Sequence, residues 1–546
     1  MLTNHAYIKF SVLIAVASAA FFTTSAAQSV ANFQVNAKKG YVFAPPPRVS
    51  ETPKPSETPK PVADKTPSPD DLEEQIASMK AENAAVRDAL KKMEENQKAL
   101  LETVDRLQRR LDAGDAQTAS PYTHPAPDPA NPPPGQPVST KSSKPSNPDD
   151  NRYQDGIIIW KTPDDAPVPF MLRFNNNTQF RYLNSLDSDT SFTDHLGVVR
   201  EVHQRNDLTV NRSMFILAGY IWDKRVRYSL TVWTSAGSAS IVVAGNIGWA
   251  FNKHITLLGG YFGVPGSRSL VNTFPYYTAT DRSMADNFFR PGFTQGVTAL
   301  GEIRKGWNYN VFVGNSNNTL SISAAKIDTN LMFAGSTWWE PFGNYAPPGK
   351  SVNMYDDYSG EKKLRIRLGT SFTRSREDRF SNLDVSTPDN TAIYNSDGVN
   401  AFQTGAFALG VTVDKALYKM WAIDWGAKYS GWALNGQYYF RWLSEFEADG
   451  PLPLTSTFDH GYEMSLAKFV VPKKLMLYGR GSGVWGEFKN PYEYGAGVKW
   501  HFLPTERLWM NVELMKVKGA PYSGAFSPYT AGMNGWVPMV QTIIAF

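Results

Sequence analysis

The chain has 546 residues, a formal net charge of +4 at pH 7 from 55 Lys and Arg against 51 Asp and Glu, and no cysteine. Disulfides are excluded as a source of stability, and the near-balance of charge gives no basic field of the kind that nucleic-acid binding requires. Mean hydropathy is −0.36, and beyond the N-terminal segment no run approaches the roughly 18 apolar residues of a membrane helix, so helical spans are excluded as well.

The chain opens on "MLTNHAYIKFSVLIAVASAAFFTTSAAQ", with Lys9, an apolar run from Phe10 to Phe22, then Ser25, Ala26 and Ala27. Charge, short apolar core and small residues in that order predict a secretory signal over 1–27, the apolar core being too short for an uncleaved anchor. Residues 28–67 contain the hexamer SETPKP twice in tandem. Proline at that density removes ladder donors and favours extended backbone, which predicts a spacer. Lys54 and Lys60 within it serve solubility or meet an anionic cell-wall polymer.

At Ser68 the pattern changes. S-P-D-D supplies an N-cap, a proline at the first helical position and two acids near the positive end of a helix dipole. Leu72, Ile76, Met79, Val86, Leu90, Met93, Leu100, Val104, Leu107 and Leu111 then recur in steps of four and three, with Asn83 and Gln97 completing the series. This heptad predicts a parallel coiled coil over 68–114, stopped near Gly114 and about 65 to 70 Å long at 1.5 Å per residue. The alternative is a single solvated helix held by charge pairs. One helix cannot bury such a seam, so the coiled coil implies an oligomer. Residues 115–155, with "PAPDPANPPPGQP" and "KPSNPDD", again cannot pack a core and predict a second linker.

From Gly156 to Phe546 period-two alternation replaces the heptad, and all 15 tryptophans of the chain lie here. Phe170, Leu172, Phe174, Phe180 and Tyr182 share one strand face, opposed by Arg173, Asn175, Asn177, Gln179 and Arg181. Val226, Tyr228, Leu230 and Val232 oppose Arg227, Ser229 and Thr231. Leu364, Ile366, Leu368 and Phe372 oppose Arg365, Arg367 and Gly369, and Ile423, Trp425, Ala427 and Tyr429 oppose Asp424, Lys428 and Ser430. A soluble sandwich alternates in the same way. The export signal, the lack of cysteine, the aromatic content and the Gly, Asn and Asp-rich connections favour a closed antiparallel transmembrane barrel, since only closure satisfies every backbone group in lipid. At about 24 residues per strand and connection, 156–546 accommodates about 16 strands around an aqueous lumen. The fold class expected is therefore all-β, a transmembrane β-barrel preceded by a coiled coil and proline-rich linkers.

The final ten residues, "VPMVQTIIAF", carry Val540, Thr542, Ile544 and Phe546 at every second position. Outer-membrane proteins commonly end in this way, and by that likeness Phe546 is the residue that the barrel-assembly machinery recognises and a closure residue at once. The stretches "NRSMFILAGYIWDKRVRYSLTV", "LLGGYFGVPGSRSL", "TDRSMADNFFRPGFTQGV" and "YNVFVGNSNN", with "YEMSLAKFVVPKKLMLYGR" and "YEYGAGVKWHF" later, resemble the phosphate-selective porin O and P family. The resemblance covers most of 156–546 and none of the N-terminal rod. Where many members carry paired arginines on the second strand, this chain has Asn211 and Arg212.

The resemblance implies a homotrimeric barrel in the Gram-negative outer membrane, bedded in its lipid, with small anions such as phosphate passing along basic side chains; the coiled coil, outside the resemblance, is expected in the periplasm. Fixed cations in a narrow, low-dielectric channel attract and transiently coordinate anions. The inward candidates are Arg173, Arg181, Arg227, Arg365 and Arg367, with Arg212, Lys428, Arg441 and Arg480 beside them. Any one of these can instead bond a carboxylate on the barrel wall. Asp281 and Arg282 read as such a structural pair, in a loop that the resemblance places near or inside the channel.

No catalytic chemistry is expected. His5, His124, His195, His203, His254, His460 and His501 show no metal-ligand spacing or nucleophile motif, and no P-loop, zinc signature or GxSxG occurs. No cofactor and no metal are implied. The alternative functions are a general-diffusion porin without anion preference, and a structural protein whose rod tethers the membrane to peptidoglycan.

Overall fold

The computed structural model describes residues 153, 156–235, 240–271, 275–318, 330–346, 354–383, 391–524 and 526–546. The signal segment, the spacer, the coiled coil and all of the 115–155 linker except Tyr153 lie outside the described residues.

In chain order the strands are β1 (Ile157–Lys161), β2 (Phe170–Asn184), β3 (Ser191–Thr193), β4 (Val199–Glu201), β5 (Asn206–Ile221), β6 (Asp223–Ser235), β7 (Ser240–Ala250) and β8 (Thr256–Gly263). A short helix α1 (Met284–Phe289) precedes β9 (Phe293–Arg304), β10 (Trp307–Gly314), β11 (Met332–Trp339) and β12 (Arg365–Asp378). A further short helix, α2 (Arg379–Leu383), leads to β13 (Val413–Tyr429), β14 (Trp432–Ala448), β15 (Ser456–Val471), β16 (Leu475–Trp485), β17 (Tyr492–His501), β18 (Leu508–Lys518) and β19 (Gly535–Ala545). β3 and β4 form a hairpin of their own, and the other 17 strands form one sheet. β10 pairs with both β9 and β11, and β19 pairs with β2, so the ring is unbroken. β1 pairs only with β2, which leaves a closed antiparallel barrel of 16 strands.

The alternation foreseen in the sequence sets the two faces. On β2, Phe180 and Tyr182 are exposed on the outside while Gln179, Arg181 and Leu183 are buried inside. On β19, Trp536, Val540 and Ile544 are exposed outward and Val537, Met539, Gln541 and Ile543 are buried. Leu230, Ile241, Val243, Val297, Val311, Phe333, Leu368, Phe372, Leu477, Val512 and Leu514 continue the exposed apolar belt round the wall. An apolar belt of this extent on a closed sheet needs lipid as its solvent.

One end of the barrel carries short turns. β5 and β6 are joined through Trp222 (φ 66), and β13 and β14 through Ser430 (φ 51) and Gly431 (φ 80), positive at both positions as a type I′ hairpin requires. The other end carries the long connections 185–205, 264–292, 379–412 and 519–534. A long connection also occurs at the short-turn end, between β11 and β12.

Candidate functional site in the barrel lumen

The connection after β8 enters the lumen because of how β8 ends. Pairing of β7 with β8 stops at Asn246 and Gly260, whereas β8 and β9 stay paired to Gly263 and Phe293. Gly260 has φ +150, and a Cβ there would lie 2.2 Å from the Gly245 carbonyl oxygen, so only glycine permits this departure. Beyond it Tyr261 and Phe293 pack on Trp233, Val242 and Ala244, and residues 264–271 and 275–292 are largely buried in the interior. A 3-10 turn at Arg268–Leu270 and α1 lie in this connection; the N-cap Ser283 accepts from the Asp286 amide, and every residue of α1 is buried.

The wall opposite is shaped by a β-bulge. Gln179 pairs with Arg212 and Phe180 with Val210, so Asn211 is an extra residue. The bulge turns Asn211 and Arg212 inward together, although they are adjacent in sequence. Arg212 Nη1 donates to Asp281 Oδ2 at 2.9 Å and to Gln179 Oε1 at 2.8 Å. Arg181 Nη1 donates to the same Asp281 oxygen at 3.2 Å, and its Nη2 to Asn211 Oδ1 at 2.8 Å. One carboxylate on the inserted connection therefore serves two wall arginines. Asp281 does not stand as an isolated pair with its neighbour Arg282, whose Nε lies 3.7 Å from Asp286.

The other sequence candidates fall into two groups. Arg367, Arg441 and Arg480 are buried and paired with Asp424 at 2.9 Å, Asp459 at 2.7 Å and Glu513 at 2.6 Å. Lys428 donates to the Tyr345 carbonyl at 3.2 Å and sits over its ring, and Arg365 pairs with Glu361 at 3.2 Å near the short-turn end. By contrast, Arg173 is half-buried and Arg227 exposed, on the part of the wall that the inserted segments leave uncovered. Half-exposed Asn175, Asn177, Ser229, Thr231, Asn246 and Asn310 share that wall, which is polar and partly accessible there. Phe546 follows the last residue of β19, beside Asn176 and Phe174.

The sequence reading missed Arg268. It is 1% exposed and lies on the inserted connection. Its Nη1 donates to the Trp425 carbonyl at 3.2 Å, and its Nη2 to the Met354 carbonyl at 2.6 Å and Asn435 Oδ1 at 2.9 Å. It stacks on Tyr355 at 4.4 Å and Tyr345 at 5.3 Å. No carboxylate lies within ion-pairing distance among the described residues. The sequence signal available was an arginine in "VPGSRSL", a turn after a strand, and its function depends on tertiary placement.

Residues 354–357, from the short-turn end, meet this connection in the lumen. Thr278 Oγ1 donates to Asp356 at 2.8 Å, Lys499 pairs with Asp356 at 2.5 Å, and the Gly431 amide donates to Asp357 at 2.6 Å. Between the two insertions and the wall is a small cavity of about 50 Å³, lined among others by Arg268, Arg282, Arg480, Asp281, Asp286 and Glu463. Among the described residues no group of three or more His, Asp or Glu side chains is placed to hold a metal ion.

The fold and lumen define a transmembrane β-barrel whose interior is polar, charged and constricted by inserted connections. The barrel is similar to that of OmpT of Vibrio cholerae, at 11% identity over 71% of this chain and 100% of that one, with a TM-score of 0.41. It is similar also to OprB of Pseudomonas putida (10% identity, 69% and 94% covered, TM-score 0.42) and to the anion-selective porin from Comamonas acidovorans (12%, 69% and 100%, TM-score 0.39). No family model and no curated protein matches the chain.

Proposed function

We propose that this protein is an outer-membrane porin, a passive channel for small solutes in which anions such as phosphate are favoured. The observation that carries the reading is the inverted barrel: an apolar belt outside, and inside a polar wall with an inserted connection whose buried cation, Arg268, has no carboxylate partner among the described residues. A fixed charge in a low-dielectric constriction acts on every ion that passes it. Arg227, exposed on the wall, adds a second charge without a carboxylate partner among the described residues. In this reading the short turns face the periplasm and the long connections the cell exterior.

A specific observation supports a second reading, general diffusion without charge preference. Arg181, Arg212, Arg367, Arg441 and Arg480 all spend their charge on carboxylates. Reversal potentials in a KCl gradient across planar bilayers separate the two. Anion preference in the native protein that falls in Arg268→Gln supports the first, and near-zero potential in both supports the second. A cation preference would sink the arginine argument.

The remaining parts of the proposal are a homotrimer clamped by the coiled coil over 68–114, contact of the N-terminal region with peptidoglycan, and recognition of Phe546 by the assembly machinery. Trimer melting that is unchanged on deleting 68–114 counts against the clamp.

A further inference from the structure

We propose that the outer face of β12 and β13, at the level where the apolar belt gives way to the long connections, binds the phosphate headgroup of a membrane lipid. The inference rests on the membrane-barrel reading and is independent of what the lumen conducts.

Arg374 and Lys419 stand directly opposite each other in the ladder between β12 and β13. Both belong to the outward series, Arg374 following Leu368 and Phe372, and Lys419 following Ile423 and Trp421, all four of which are exposed. Like charges facing each other directly across a strand pair repel and destabilise the pairing. Among the described residues neither has an ion-pair or hydrogen-bond partner. Carboxylates are at hand, since Arg376, the next outward position, lies 2.6 Å from Glu447 and 3.6 Å from Glu445. The chain compensates that arginine and leaves the pair below it bare.

Beneath and beside the pair lies an aromatic band of the kind that marks a membrane interface. Trp421 stacks on Phe440 at 5.1 Å, Phe440 on Trp442 at 6.3 Å, and Trp442 lies 5.2 Å from Phe458. A second pair of cations stands on β18. Lys516 and Lys518, two apart on the one strand, follow the exposed Val512 and Leu514 on the outward face, over Trp536 at 5.4 Å and Tyr492 at 5.8 Å. Two separate parts of the rim thus set two cations, without a carboxylate partner among the described residues, against aromatic and aliphatic surface. A ligand that fits has acyl chains for the belt and a phosphate for the cations, which bind phosphate by charge-assisted hydrogen bonds.

The test uses the full-length protein in detergent, titrated with phosphatidylglycerol, phosphatidylcholine or inorganic phosphate. Bound lipid is counted by native mass spectrometry, and the temperature of conversion from folded to unfolded electrophoretic mobility is recorded. The expected result is that phosphatidylglycerol binds and raises this temperature more than phosphatidylcholine does. Arg374→Gln with Lys419→Gln should lower phosphatidylglycerol occupancy several-fold, while the charge-conserving Arg374→Lys retains it and controls for folding. Equal occupancy in the double variant overturns the proposal, and so does an equal effect from inorganic phosphate, which would indicate a free-ion site. Planar-bilayer conductance on the same samples keeps the two readings apart: a silent native channel sinks the porin and leaves the lipid result standing.

Discussion

Asn176 and Phe546 exchange both of their backbone hydrogen bonds, the Asn176 amide donating to the Phe546 carbonyl at 2.7 Å and the Phe546 amide to the Asn176 carbonyl at 2.9 Å. This rung marks a boundary on one edge of β2. On one side of it β19 pairs with Asn177–Leu183, and on the other β1 pairs with Met171–Phe174. The long strand β2 is thus covered by the last strand for half its length and by a short N-terminal strand for the rest, which leaves no run of unpaired backbone facing lipid.

Phe546 also packs edge-to-face on Phe174, with ring centroids 5.9 Å apart. Replacing it by alanine keeps the backbone rung and loses the ring. Phe546→Ala should cost about 1 to 3 kcal/mol in barrel stability, from lost apolar burial and the aromatic pair. Phe546→Tyr should cost far less. The check is the temperature at which the folded, fast-migrating species disappears in detergent electrophoresis, and equal temperatures for the alanine variant and the native protein refute the closure role.

Asn211 makes a second prediction possible, because a bulge and a side chain can be removed separately. Asn211→Ala keeps the register and loses the bonds to Gln179 and the Phe526 carbonyl at 3.0 and 3.2 Å and the one from Arg181. That should cost about 1 to 3 kcal/mol. Excising Asn211 leaves Gln179 opposite Arg212 and Phe180 opposite Val210, so each remaining residue keeps its face and the ladder becomes regular. Excision should therefore still give folded barrel in refolding from urea into detergent, with a stability loss similar to that of Asn211→Ala. Loss of folded yield on excision alone would show that the backbone of the bulge, and not only its side chain, is required.

The alternation on β2, β6, β12 and β13 was legible because each residue's face is decided by its parity in the strand alone. Phe180 and Tyr182 outside, and Gln179 and Arg181 inside, follow from a period of two. The ion pairs were not legible, since Arg181 and Asp281 are 100 residues apart and Arg367 and Asp424 are 57 apart. No local pattern links such partners. β1 escaped notice because "IIIWK" is a continuous apolar run without alternation. Arg268 was hidden because its role comes from a glycine kink and an insertion, neither of which leaves a periodic trace.

Asp194 gives a pH-dependent prediction outside the membrane. In the connection between β3 and β4 it accepts from the Leu196 and Val198 amides at 2.9 Å each and from Arg200 Nε at 2.7 Å. Burial pushes its carboxyl upward, and Arg200 with the two amides outweighs that, holding it below the ordinary value. A depressed folded-state pKa contributes stability that is full above the unfolded value near 3.9 and is lost as pH falls through the folded one. Protection of this hairpin's amides, measured relative to their intrinsic exchange rate at each pH, should therefore stay high at neutral and mildly acidic pH and fall only below about pH 4. Asp194→Asn should open the hairpin at every pH, and an unchanged profile in that variant refutes the assignment.

Asp281 is the residue on which the lumen's charge balance turns, because Arg181 and Arg212 both donate to the same oxygen. Asp281→Asn removes the counter-ion and leaves two buried guanidiniums. Breaking a buried pair from one side costs about 3 to 5 kcal/mol, so the inserted connection should lose thermal stability. The electrical effect has the opposite value to the channel, since two uncompensated cations replace a net single one and raise the local anion concentration. Reversal potentials in a KCl gradient should shift toward chloride in Asp281→Asn. In Arg181→Gln with Arg212→Gln they should shift away from it, because Asp281 then stands alone as an anion. These opposed shifts cannot both come from loosening of the loop, which changes conductance in one direction for either variant. Shifts of the same sign, or none, would place the permeation path away from Asp281 and move the search for selectivity to the wall that carries Arg173 and Arg227.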